Sequence, residues 1–215
     1  MSSTKQTADS GSGSSSRRAE LLALAGTLFA ERGFKSTTVR DIAEEAGILS
    51  GSLYHHFDSK ESMADEILRS FLDELFGTYR EIVARELGPR KTLEAVVATS
   101  FEAVHNHHDE VAIFQNEAKY LVQFPRFAYL AERNAEFHEL WTSILAEGVR
   151  TGAFRADLDV ELTYRFIRDT VWVAVHWYKP AGSLSAEDIA DEYLGIVLDG
   201  IAARRGRRPV RKSAG

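Results

Sequence analysis

The stretch from Thr37 to Glu61, TTVRDIAEEAGILSGSLYHHFDSKE, limits the possible folds of this chain more than any other. Thr38 is placed to cap a short helix, Asp41 stands three residues on as its capping-box partner, and Val39, Ile42, Ala43 and Ala46 recur at helical spacing. Gly47 predicts the end of that helix, because a C′ position favours the left-handed backbone that glycine adopts freely. Ser50 is then placed to cap a second helix, on which Leu49, Leu53 and Phe57, four apart, are expected to face inward. Gly51, Ser52, Tyr54 and His55 are left pointing outward. A solvated αα-hairpin is the ordinary alternative, but its outer face would carry Glu and Lys. Small residues let a backbone approach base edges, and hydroxyl and imidazole groups bond bases and phosphate, so the pattern points to duplex DNA. The expected DNA-binding residues are Arg17, Thr38, Arg40, Ser50, Gly51, Ser52, Tyr54, His55 and Lys60. Of these, Tyr54 and Lys60 suit phosphate, and Arg40, Ser50 and Ser52 suit discrimination between bases.

The same block, in its spacing, turn glycine and trailing F-x-S-K-E, closely resembles the DNA-binding region of the TetR family of bacterial repressors. The resemblance implies an all-α homodimer: an N-terminal three-helix helix-turn-helix domain, then a helical domain with an inducer pocket and a two-helix dimer face. A dimer of this kind implies a palindromic operator in double-stranded DNA.

Length and composition agree. With 215 residues the chain can bury a core in one domain, or in a small and a moderate one. It has no cysteine, which excludes disulfides, thiolate metal sites and cysteine nucleophiles and suits a reducing cytoplasm. No apolar run exceeds five residues, so neither a signal peptide nor a membrane span is expected. The net charge of −6 is unevenly spread: residues 1–60 are neutral, residues 61–200 carry −12 and residues 201–215 carry +6. Only a local face, with Arg17, Arg18, Arg40 and Lys60, is then suited to meet phosphate.

Four segments follow: a disordered Ser/Gly/Thr arm over 1–16, a helix-turn-helix domain over 17–60, a ligand-binding and dimerisation domain over 61–203, and a disordered basic tail over 204–215. Arg17 and Arg18, at the arm's end, suit either a minor groove or plain solvation. Leu21, Leu22, Ala25, Leu28 and Phe29 mark the first helix, which Gly33 stops. Asp58 or Ser59 caps a long fourth helix that Gly88 and Pro89 terminate. Further helices are expected from Leu93, from about Glu110 to Leu121, and from Pro125 to Gly152. His105 and His108 fall on one helical face and invite a metal reading, but without matched ligands they read instead as histidines closing a helix; no metal or resident cofactor is expected. A hydrolase using His138 or His176 lacks any nucleophile motif.

Asp159 caps a helix reaching towards Pro180, and Ser185 with Asp188 opens the last. Leu162, Phe166, Val173 and Trp177, with Ile189, Tyr193, Ile196, Val197, Gly200 and Ile201, make a surface too apolar for water. A two-fold interface would cover it; packing inside one subunit is the alternative. Arg165, Arg168, Trp172 and His176 step by three, four and four, on a stripe suited to an anion attached to a ring-shaped group. The ordinary alternative is that these arginines pair with neighbouring carboxylates. YRFIRDTVWVAVHWYKP, together with GILSGSLYHHF, resembles more narrowly the TetR-type repressors of late cholesterol catabolism in actinobacteria. That resemblance implies a small-molecule inducer, a CoA thioester of the steroid C and D ring remnant, and ligand contacts at Arg168 and Trp172. A TetR-type repressor sensing another hydrophobic ligand, an enzyme acting on an acyl-CoA, and an architectural DNA binder are the rival readings.

Overall fold

A computed structural model describes residues 10–201, with side chains from residue 15. Among the described residues there are nine α-helices and no extended strand: α1 Ser10–Arg32, α2 Val39–Glu45, α3 Ser50–Leu53, α4 Lys60–Ala84, α5 Pro89–Asn106, α6 His108–Leu121, α7 Tyr129–Arg150, α8 Val160–Val173 and α9 Ala186–Ile201. Short 3-10 turns, Pro125–Phe127 and Ala174–His176, precede α7 and follow α8. These elements form two compact units: residues 10–76 with 107–132, and residues 77–106 with 133–201.

In the first unit, α1 buries Leu21, Ala25, Leu28 and Phe29, and packs against both α2 and α6. Phe34 places its ring 5.2 Å from that of Phe29. The helix is longer than the sequence suggests. Residues 10–16, expected in the disordered arm, are its first turns, because extending a helix anchored by a packed face adds a hydrogen bond per residue without a new nucleation step. Residues 1–9 of that arm, and the expected tail over 204–215, lie outside the described residues.

Thr38 caps α2 through the full capping box: its hydroxyl accepts from Asp41 N at 3.1 Å, and its own N–H donates to the Asp41 carboxylate at 2.7 Å. The helix ends in a Schellman motif. Gly47 takes φ +66°, its N–H donates to Glu44 O, and Ile48 N donates to Ala43 O at 2.9 Å. Two expectations at the next helix are corrected. Leu49, not Ser50, occupies the N-cap of α3, and no side chain caps it. Leu49 is extended there, off the helical stripe, and is 80% exposed; Leu53 and Phe57 are buried as predicted. Ser59 caps α4 through a reciprocal pair with Ser62, its hydroxyl accepting from Ser62 N at 3.1 Å and its N–H donating to Ser62 Oγ at 3.2 Å. Helix α4 stops at Ala84, before Gly88 and Pro89, where Glu86 turns to φ +50°; Pro89 instead opens α5, the first helical position at which its missing N–H is harmless.

The second unit packs α5 against α8 and α9 around Leu93, Val96, Val97, Ile167, Val171, Leu194 and Leu198. The Tyr79 hydroxyl meets Ser100 Oγ at 2.7 Å, and Ser100 donates on to Val96 O at 2.6 Å. Burial pushes the Tyr79 phenol well above its ordinary range. Asp159 caps α8 by accepting from Leu162 N, and Ser185 with Asp188 forms the expected capping box before α9. Helix α8 ends at Val173 rather than running towards Pro180. From there the chain tightens into the 3-10 turn Ala174–His176.

The expected stripe of Arg165, Arg168, Trp172 and His176 does not form. Trp172 turns inward and is 4% exposed, Arg165 and Arg168 are exposed, and His176 lies beyond the helix in the 3-10 turn. The apolar surface is present in part: Ile189, Tyr193 and Val197 are only half-exposed, Tyr193 with its ring 5.7 Å from that of Phe101, and Ile201 drops out. Leu162, Phe166, Val173 and Trp177 are exposed, Phe166 at 65%, and Ile196 of α9 is 67% exposed. Ile201 is buried in its own subunit, where its carbonyl accepts from Arg155 N at 2.9 Å.

Candidate nucleic-acid interface

The first unit brings the predicted DNA-binding residues, Arg17 apart, into two adjoining groups. A shallow open cleft is lined by Thr38, Arg40, Tyr54 and Lys60, together with Val39, Asp58, Ser59 and Glu61. The tip of α3 presents Gly51, Ser52 and His55 to solvent, with Ser50 half-buried beside them. The Schellman turn at Gly47 sets the direction of α3, and the burial of Leu53 and Phe57 fixes its rotation. Tyr54 is 57% exposed, so its hydroxyl can reach an outside phosphate without unpacking the core.

The charged members differ in how far they are already engaged. Arg40 is open, its Nε donating to Glu44 at 2.7 Å across one helical turn, an exposed pair that a phosphate can displace. Lys60 lies inward: Nζ donates to Phe34 O at 2.8 Å and to Thr37 O at 3.0 Å and sits 4.4 Å from the Phe34 ring centroid. An ammonium has three donors, so one N–H remains for a phosphate. Arg17 bridges Glu20 and the Ala46 carbonyl at the end of α2. Arg18 forms a two-point pair with Glu66 and stacks 4.5 Å above the Phe57 ring, which ties α1 to α4 and to the residues after α3.

Sequence periodicity could not show how α6 takes part. Glu117 accepts the Phe34 N–H at 3.2 Å, Asp109 meets the Thr27 hydroxyl at 2.7 Å, and Lys35 sits 3.8 Å from the Tyr120 ring centroid. These contacts clamp the α1–α2 junction, where Gly33 adopts φ +83°. The partners lie about eighty residues apart in the chain, and no local motif signals them.

In the second unit, Trp172 is buried beside an aromatic cluster. Its ring is 5.8 Å from Phe137, which stacks on Trp141 at 5.5 Å. Arg168 pairs with Asp169 at 2.5 Å, the carboxylate pairing weighed from sequence, and lies 5.6 Å from the Tyr164 ring centroid. His138 stands edge-on to Tyr164 at 4.9 Å and bonds Glu161 at 2.9 Å. The histidine run separates. His105 closes α5 and bonds the Tyr178 hydroxyl at 2.6 Å, whereas His108 begins α6, so the two do not share a helical face. Among the described residues, no group of three or more His, Asp or Glu side chains is placed to hold a metal.

Two family descriptions cover most of the chain. Residues 21–67 match "Bacterial regulatory proteins, tetR family", and residues 86–201 match "Tetracyclin repressor-like, C-terminal domain". The chain belongs to the TetR family. It is 63% identical over 200 residues to the HTH-type transcriptional repressor KstR2 of Rhodococcus jostii, covering 93% of this chain and 98% of that protein. The Mycobacterium tuberculosis repressor of the same name is 55% identical over 186 residues, 86% of this chain and 93% of the relative. The solved structure of the ketosteroid transcriptional regulator KstR2 of M. tuberculosis superposes with a TM-score of 0.86 at 54% identity, covering 87% of this chain and 96% of that one. As a TetR-family member the chain is a transcriptional repressor, acting by binding and not by turnover. No helix among the described residues is long and apolar enough to cross a membrane.

Proposed function

We propose that this TetR-family repressor binds a palindromic operator as a homodimer in the cytoplasm and is released from it by a CoA thioester of a steroid ring fragment, in the control of cholesterol catabolism. The observation that carries this reading is the reach of the similarity to the KstR2 repressors, which spans the ligand-side helices as well as the helix-turn-helix. Recognition belongs to Arg40, Ser50, Gly51, Ser52 and His55, with Tyr54 on phosphate and Arg17, Thr38 and Lys60 positioning α2 and α3 and adding phosphate contacts. The exposed residues Leu162, Phe166, Val173, Trp177 and Ile196 supply the dimer face. Arg168, which can exchange Asp169 for an acyl-CoA phosphate, and Trp172 supply ligand contacts, with Arg165 and His176, both exposed, assigned to the nucleotide part.

The ligand releases DNA by binding the conformation that does not fit the operator better than the one that does. A shift from mostly bound to mostly free needs about 5 kcal/mol of such preference. Fluorescence anisotropy of labelled operator tests this: the steroid-derived acyl-CoA should release the protein, while free acid and CoA alone should not. Release by none of the three, or equal release by all, would refute the assignment.

A further inference from the structure

Leu49 is 80% exposed, the most open large apolar side chain among the described residues, and it stands directly before α3. The subunit gains little from it. Ile48 is the half-buried residue that follows the Gly47 turn, and Leu53 and Phe57 supply the inward face. Nor does Leu49 cap. It holds the N-cap of α3 in extended geometry, φ −73° and ψ 143°, with no side-chain bond to the helix, whereas Thr38, Ser59, Asp159 and Ser185 cap theirs. A serine at this position would satisfy a helix N–H that leucine leaves open, so leucine is kept here against local stability, as residues on functional surfaces are. Its neighbours say what it meets. Ser52 N donates to Leu49 O at 2.8 Å and His55 N to Ser52 O at 3.2 Å, so successive turns close over three residues and bring 49, 52 and 55 to one side. Ser52 and His55 are both exposed. Leu49 thus adds one apolar group to a polar row. On the major-groove edge of the base pairs, the apolar feature among the donors and acceptors is the thymine C5 methyl.

We infer that Leu49 is a specificity-determining residue for DNA, packing on a thymine methyl in each operator half-site beside the bases read by Ser52 and His55. This rests on the reading of α3 as the helix that meets bases and adds a sequence requirement to it. Each half-site carries a thymine where Leu49 lands, and a two-fold dimer uses the contact twice. The polar residues of the row discriminate by hydrogen bonds, whereas Leu49 discriminates by a single methyl group.

The probe is the tightest duplex that the full-length protein selects from a randomised pool, resynthesised with deoxyuridine in place of thymine at one symmetric pair of positions at a time. Deoxyuridine keeps the base pairing and removes only the methyl. Fluorescence anisotropy should find a pair at which wild type binds the deoxyuridine duplex about 15-fold more weakly, the size of two buried methyl groups. Leu49→Ala should bind the thymine and deoxyuridine duplexes of that pair equally, at the wild-type melting temperature. Leu49→Ser should move two readouts in opposite directions, its new cap raising the melting temperature by about 2–4 °C while operator affinity falls. Ser52→Ala should lower affinity and keep the thymine preference. Three results overturn the inference: no deoxyuridine pair that weakens wild type, a thymine preference that survives Leu49→Ala at every position, or full operator affinity in Leu49→Ser. With any of these, weaker binding by Ser52→Ala leaves α3 as the reading helix. Full affinity in Leu49→Ala, Leu49→Ser and Ser52→Ala alike overturns both.

Discussion

Phe166→Asp tests the dimer face with the smallest disturbance to the subunit itself. Phe166 is 65% exposed, while its neighbour Ile167 carries the inward packing of that turn of α8. A phenylalanine side chain presents close to 200 Å² of apolar surface, so about 130 Å² is available to a partner, worth about 3 kcal/mol at about 25 cal/mol per Å². A two-fold axis uses the residue twice, so the substitution removes about 6 kcal/mol per dimer, before the further penalty of bringing two carboxylates into an apolar contact. At 1.4 kcal/mol per decade, the dimer dissociation constant should rise by about four orders of magnitude. Sedimentation velocity at micromolar protein should show a monomer with wild-type helical circular dichroism, and that monomer should lose operator affinity because it engages one half-site. Ile201→Asp, at a buried position, should instead lose helical signal. A Phe166→Asp variant that sediments as a dimer at the wild-type concentration would refute the assignment of this face.

Three other substitutions probe the DNA-binding unit. Tyr54→Phe should weaken operator binding for all sequences alike at an unchanged melting temperature, whereas Lys60→Ala should lower both, because Lys60 also holds the Phe34 and Thr37 carbonyls; anisotropy and thermal melts separate the two. Glu117→Ala frees the Phe34 N–H and should cost about 1–2 kcal/mol of stability, with a measurable loss of operator affinity although Glu117 lies on α6, away from the recognition face. The Thr38 hydroxyl and N–H hold the Asp41 carboxyl below its ordinary range. A group with a depressed folded value stabilises above the unfolded value and loses that contribution as pH falls through the folded one, so acid melts below about pH 4 should show a drop in wild type that is smaller in Asp41→Asn.

Local rules carried the sequence reading furthest where structure is decided within a few residues. The Thr38–Asp41 box, the Gly47 turn, the Ser59 cap and the Ser185–Asp188 box all formed, because each joins residues three or four apart whose geometry follows from helix ends. The exposed apolar residues of α8 and of Ile196 on α9 were legible for the same reason, as a helical stripe. Failures came where position along the chain does not decide the environment. Leu49 fits the apolar spacing but sits in the extended cap residue, and Trp172 fits an arginine stripe but turns into the core. Lys60 reads as a surface cation, yet its stem reaches back to two carbonyls over twenty residues away. The contacts of Glu117 and Asp109 gave no signal, since they depend on helices that meet only after folding.

Acyl-CoA affinity measured twice by calorimetry, on the free dimer and on the dimer saturated with operator, addresses the central claim most directly. Coupling between two sites is reciprocal, so the factor by which ligand weakens operator binding must equal the factor by which operator weakens ligand binding. A repressor released by this ligand should bind it more weakly on DNA, by the same factor that the anisotropy titration gives for the operator. Equal acyl-CoA affinity with and without operator would contradict the account, since a ligand that does not distinguish the two states shifts neither.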